Sequence, residues 1–275
     1  MLILAFIISN ITATLAVPNL ANPVPSNTSQ IQDDINENDL ANRKRIIAGA
    51  LGLSFQEIIA VRERINALNI DEGNNLWTIR KTILEWLVNE ESLFKTADLR
   101  LNADNLSLEE IQNIAKDIQN HRSANYNRNL ANALDFIFAM EVSRFTDIAH
   151  DRFNRVNYDL QRIERAGLIR RNLFATEMAK ARTMIDGAKV LTQRAITLSE
   201  AIYLPPAQNT KETIDSLSAT TNKPTTATTE EAPVTTIEEL SNSRSLSEAA
   251  IMNLRLAYGE FTKISTTIRR NLRVR

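Results

Sequence analysis

The sequence predicts an all-α protein: an elongated helical bundle, a coiled-coil-like rod built on one very long helix. Three observations predict it. Glycine (6) and proline (7) are scarce in 275 residues, and a strand protein of that size needs many more turn residues. Apolar residues recur three and four apart over long stretches. Cysteine is absent, so no disulfide staples the fold and helix packing must hold it alone.

The first 16 residues are a short apolar leader. It is shorter than the roughly 20 residues a membrane span needs. Thr14 and Ala16 give the small-residue exit of a secretory signal, which places the cut after Ala16 and the product outside the cell. Residues 17–45 are polar and rich in Asn, Pro and Asp, a composition that cannot bury enough surface to offset chain entropy. They read as a disordered segment ending in Arg43-Lys44-Arg45. That triplet is either a processing site at Arg45 or a solvated basic patch before a helix.

The helical body is expected over 46–204. Ser54-Phe55-Gln56-Glu57 has the form of a capping box, in which the hydroxyl takes a free amide of the first turn. Phe55, Ile58, Ile59, Ile65 and Leu68 then line one side of a helix. Asp71 to Asn74 breaks it, and Leu76, Ile79, Ile83, Trp86, Leu87 and Leu93 mark a second helix to about Leu101. Ser107-Leu108-Glu109-Glu110 is another capping box, leading into Ile111, Ile114 and Ile118.

From about Arg128 to Leu204 one apolar seam keeps its phase. Phe153, Val156, Leu160 and Ile163 form one run; Ala181, Met184, Ala188, Leu191, Ala195, Leu198 and Ile202 form the other. A seam in sustained heptad register implies a coiled-coil-like rod. Gly167 fits the C′ position of a helix end, with Leu168 touching Ile163. No proline and no evident cap precede Asn172, however, so the expectation is a continuous helix bent near Gly167.

Pro205-Pro206 ends that helix. Residues 207–235 are Thr-, Pro- and Glu-rich, a disordered linker suited to O-glycosylation outside the cell. The domain boundaries drawn are therefore a linker over 205–235 and a final amphipathic helix within 236–275. Thr236-x-x-Glu239 and Ser245-x-x-Glu248 supply two further capping boxes. Ala250, Leu254, Ala257, Phe261, Ile264, Ile268 and Leu272 form a stripe that must dock on something.

Lysine and arginine total 32 against 33 acidic residues, a formal charge of -1 with pI near 6.2. That balance offers no general attraction to nucleic acid. Arg269, Arg270, Arg273 and Arg275 read as the charge a helix C-terminus favours, and secondarily as a run for heparin or anionic lipid. Nothing after the leader is apolar enough for a stable membrane span. Asn27-Thr28-Ser29 and Asn105-Leu106-Ser107 are acceptors for N-glycosylation at Asn27 and Asn105 in a secreted chain.

The chain has two histidines. His121 has no acidic or histidine neighbour in sequence; His150 sits beside Asp147 and Asp151. A lone histidine without a second ligand at matching spacing reads as packing or solvated. No metal, nucleotide-binding or hydrolase motif occurs, so neither catalytic residue nor cofactor is assigned. Carboxylates alternate with cations at helical spacing, as in Arg62-Glu63-Arg64, and read as a solvated face.

The function expected is that of a secreted, non-enzymatic interaction protein engaging an unknown protein partner in an extracellular fluid. Two alternatives belong to other classes. One is a carrier of lipid or another apolar ligand. At the level of class alone the chain looks like the exchangeable apolipoproteins, secreted, helical and cysteine-free; no motif carries that likeness. The other is a structural coiled-coil component of a secretion, a homo-oligomer through its helical seam.

Overall fold

The computed structural model describes residues 40–104, 106–204 and 242–273. Those residues form helices and short connections, with no strand among them. The elements are α1 (Leu40–Ala67), α2 (Asn75–Leu101), α3 (Leu108–His121), a π-helical turn (Arg122–Tyr126), α4 (Asn127–Arg165), α5 (Ala175–Tyr203) and α6 (Ser243–Arg273). The chain passes from α3 through the π turn into α4 without a break, a joined helix of 58 residues.

Two apolar cores hang on that joined helix. The first lies between α1, α2, α3 and the beginning of α4, with Leu51, Ile58, Ile65, Ile83, Leu87, Phe94 and Phe136 among its largest aliphatic and phenyl groups. The second lies between the rest of α4, α5 and α6, around Ala149, Leu160, Ile185, Leu254, Phe261 and Ile264. Leu76 and Met140 touch both, so the two cores meet.

α1 starts at Leu40, ahead of the boundary drawn at 45. Ser54 does not cap it. Ser54 is fully buried in mid-helix, and its hydroxyl donates to Ala50 O at 3.0 Å. Ile59, placed on the apolar side by its spacing, is half exposed. Gly73 takes φ +87 in the α1–α2 connection, and Asn74 caps α2 by accepting from the Trp77 amide at 2.8 Å. α1 and α2 are tied by the Arg62–Glu91 ion pair. Lys95 first and Arg62 second pull the Glu91 carboxyl down to about 2. Ser107 caps α3 as expected: its hydroxyl accepts from the Glu110 amide, and the Glu110 carboxylate takes the Ser107 amide at 2.7 Å. That last bond lowers the Glu110 carboxyl from its ordinary range.

The continuous helix expected over 128–204 is not formed; the chain folds back. α4 ends in a Schellman motif with Gly167 at φ +67. The Leu168 amide donates to Ile163 O at 3.1 Å and the Gly167 amide to Glu164 O at 2.9 Å. Asn172 adopts a second left-handed conformation, φ +59, which Asn tolerates better than most side chains. Its amide donates to Glu164 Oε1 at 3.0 Å. Ile169 and Phe174, between these points, are buried in the second core. Heptad phase could not reveal the turn, because α4 and α5 face the same core and a shared register runs unbroken through the connection. Replacing Gly167 by alanine is expected to cost about 1–2 kcal/mol, the penalty of a left-handed L-residue. A urea titration reads it; an unchanged midpoint would mean the turn does not hold the hairpin.

α5 and α6 lie antiparallel and close. Ser243 Oγ donates to Ala195 O at 3.0 Å and lies 3.3 Å from Ser199 Oγ. Such contact with a neighbouring backbone needs small residues, and Ala181, Ala188, Ala195, Ala250 and Ala257 are all buried here. A Cβ on Gly187 would come within 3.1 Å of Asn253 Nδ2. α6 starts earlier than Ser245: Asn242 is its cap and accepts from the Ser245 amide at 2.8 Å. Thr236 and Glu239 lie outside the described residues, as does the Leu272 side chain.

Candidate functional site

The densest polar chemistry lies inside the first core, where the π turn faces α1 and α2. A π turn brings residues five apart onto nearly one side, which an α turn does not. His121 and Tyr126 accordingly both meet the Phe94 ring edge-on, with centroids 6.0 and 5.2 Å away. Between them Arg122 points to α1. Its guanidinium binds the Glu57 carboxylate through Nη2, at 3.1 Å to Oε2, and also bonds Ser54 Oγ. The same guanidinium lies 5.0 Å from the centre of the Tyr126 ring. The Tyr126 hydroxyl donates to Glu57 Oε2 at 3.1 Å. Burial, then the Glu57 charge, push that phenol far above its ordinary range, so it serves as a neutral donor.

The second half of the network centres on Glu90, a buried carboxylate of α2. His121 Nε2 donates to Glu90 Oε2 at 2.6 Å, and Trp86 Nε1 donates to Oε1 at 2.9 Å. A buried carboxylate needs such partners, since leaving one unpaired costs several kcal/mol. Trp86 is thus part core and part hydrogen-bond donor, with its ring 5.8 Å from Tyr126.

A different feature opens to solvent in the α4–α5 hairpin. A cleft of about 330 Å³ is lined by His150, Phe153, Asn154 and Asn157 of α4 and Arg182, Ile185 and Asp186 of α5. His150 Nδ1 lies 3.3 Å from the Asn154 amide nitrogen. Among the described residues no group of three or more metal-ligating side chains forms. At the other end of the second core, Asp135 of α4 is half-buried. Its carboxyl is raised by that burial, against the pull of Arg244.

The sites read from the sequence fall elsewhere. Ala16, Asn27 and Asn105 lie outside the described residues. Arg45 sits exposed within α1, with its guanidinium donating to Asn42 Oδ1 at 2.9 Å. Nothing in the sequence groups Ser54, Glu57, Glu90, Arg122 and Tyr126, which lie in stretches far apart along the chain. One signal was present. Glu90 falls on the Ile83–Leu87–Phe94 side of α2, where a charge interrupts an apolar stripe.

Fold and network together define a class: an all-α bundle with two cores sharing one long helix and a largely buried polar network in one of them. Compared with protein-family models, curated proteins and solved structures, the chain matches none.

Proposed function

We propose that this is a secreted, non-enzymatic helical protein that works by binding a protein partner. The observation that carries the reading is a pair of exposed apolar steps on otherwise finished helices. Leu198 and Ile202 lie one turn apart on α5, and Met252 and Leu256 one turn apart on α6. Ile202 and Met252 are each 54% exposed. Single exposed apolar side chains are ordinary, but each pair at i, i+4 makes a short contact strip on its own helix, and methionine suits adaptable binding surfaces. The buried network supports the same reading, because Glu57, Glu90, His121 and Tyr126 direct their polar atoms at one another. Each core is made by the protein's own apolar side chains packed on one another, so a carrier of apolar ligands would have to part them first. Among the described residues no helix is long and apolar enough to cross a membrane. Secretion rests on the leader.

The test uses the full chain with a photo-crosslinker beside Met252, exposed to the fluid that contains it. Met252→Asp with Leu256→Asp is expected to leave the melting temperature within about 1 °C, as surface changes do, and to abolish the crosslinked protein. An identical crosslink in the variant, or recovery of lipid in place of protein, would reject the reading.

A further inference from the structure

We propose a second surface, separate from that strip: the far end of the α4–α5–α6 bundle docks on an anionic lipid surface. The bundle carries 17 Lys and Arg against 9 Asp and Glu over residues 144–204 and 242–273. The chain as a whole has a formal charge of -1, so positive charge is segregated into this part. The fold then concentrates it at one end. Phe153 lies 6.5 Å from Phe261, ring to ring, and Arg152 stacks 5.5 Å from the Tyr258 ring. α5 folds back from α4 and runs antiparallel to α6, so α4 and α6 run side by side in one direction. That register brings Arg162 and Arg165, in the last turn of α4, level with Arg269 and Arg270 near the end of α6. The α4–α5 connection adds Arg170 and Arg171 at the same end.

All six arginines are exposed, and none forms an ion pair with a carboxylate among the described residues. The acids of this end are Asp159, Glu164, Glu177 and Glu260. Glu164 accepts from the Asn172 amide, and Glu260 is paired with Lys263 at 2.6 Å. Helix dipoles account for the two arginine pairs at the ends of α4 and α6. They do not account for Arg170 and Arg171, which stand in the connection. Nor do they account for the apolar groups set among these charges. Leu168 is 44% exposed, Leu173 38% and Tyr158 60%. Arginines around protruding leucines and a tyrosine match a bilayer surface. Guanidinium forks take headgroup phosphates, and the leucines enter the boundary below. A sulfated glycan would use the charges and leave the leucines in water. The negative charge of an acidic leaflet complements this end, and each cation near the surface adds to the attraction within a Debye length.

The test is vesicle co-sedimentation of the full chain. Phosphatidylcholine vesicles containing phosphatidylserine are compared with phosphatidylcholine alone, and a heparin column is run in parallel. Binding is expected on the serine-containing vesicles and to weaken as salt rises. R170E/R171E reverses two charges in the connection, and is expected to lower partitioning on the order of 100-fold at unchanged circular dichroism. Leu168→Ser with Leu173→Ser keeps every charge and is expected to leave only a salt-sensitive residue of binding. If R170E/R171E loses helicity, R269Q/R270Q on the exposed face of α6 replaces it. Equal binding to both vesicle types, heparin retention without vesicle binding, or full binding by a folded charge variant would each overturn the proposal.

Discussion

Replacing Phe261 and Ile264 together by alanine is expected to unfold the α4–α5–α6 core. Both side chains are buried, at 3% and 2% exposure. Phe261 is in ring contact with Phe153 of α4 and Tyr258 of its own helix. Truncating a buried Phe costs about 3–5 kcal/mol and a buried Ile about 2–5. Together they approach the whole stability of a domain, about 5–15 kcal/mol. α6 also supplies the small residues that let α5 approach, so its release strips Ala181, Ala188 and Ala195 of their cover. The expected result is loss of a cooperative thermal transition, read by circular dichroism, with fast amide exchange along α5. A double variant with wild-type helicity and melting temperature would mean that the docked α6 contributes little.

Arg122→Ala is expected to cost about 3–5 kcal/mol in a urea titration, the usual result of removing one partner from a largely buried ion pair. Arg122 and Glu57 are 12% and 19% exposed at their side chains. The alanine leaves the Glu57 carboxylate with the Tyr126 hydroxyl and no cation. The companion variant, Arg122→Met with Glu57→Leu, removes both charges and is expected to recover most of the loss, since replacing a buried pair by apolar groups is often neutral. A double-mutant cycle isolates the coupling. If the single variant lost less than about 1 kcal/mol, the network would be peripheral to folding.

Several elements were legible one helix at a time. The second capping box at Ser107 holds, because both of its bonds are made within four residues and need no other part of the chain. Ala250, Leu254, Ala257, Phe261, Ile264 and Ile268 of the stripe are all buried in α6, which also buries Leu246, Ser247 and Glu260. The first box at Ser54 failed for an instructive reason. Its Ser and Glu have the right types, but Arg122 and Tyr126 recruit them from a distance of more than sixty residues. His121 gave no signal for the same reason: its acid is Glu90, thirty-one residues away along the chain.

The sequence by itself determined the all-helical class, the cysteine-free reliance on packing, the cap of α3 and the apolar side of the final helix. These depend on interactions within a few turns, where spacing alone says which side chains share a face. Only the tertiary structure decided that the long seam closes into a hairpin at Gly167, that the π turn carries a polar network, and that six arginines from three segments gather at one end. A left-handed glycine stabilises a turn only when Ile169 and Phe174 find a core to enter, and that core is made by α5 and α6 arriving from elsewhere in the chain. Heptad phase records which way a side chain faces; it does not record whether the face is met by another chain or by the same helix folded back.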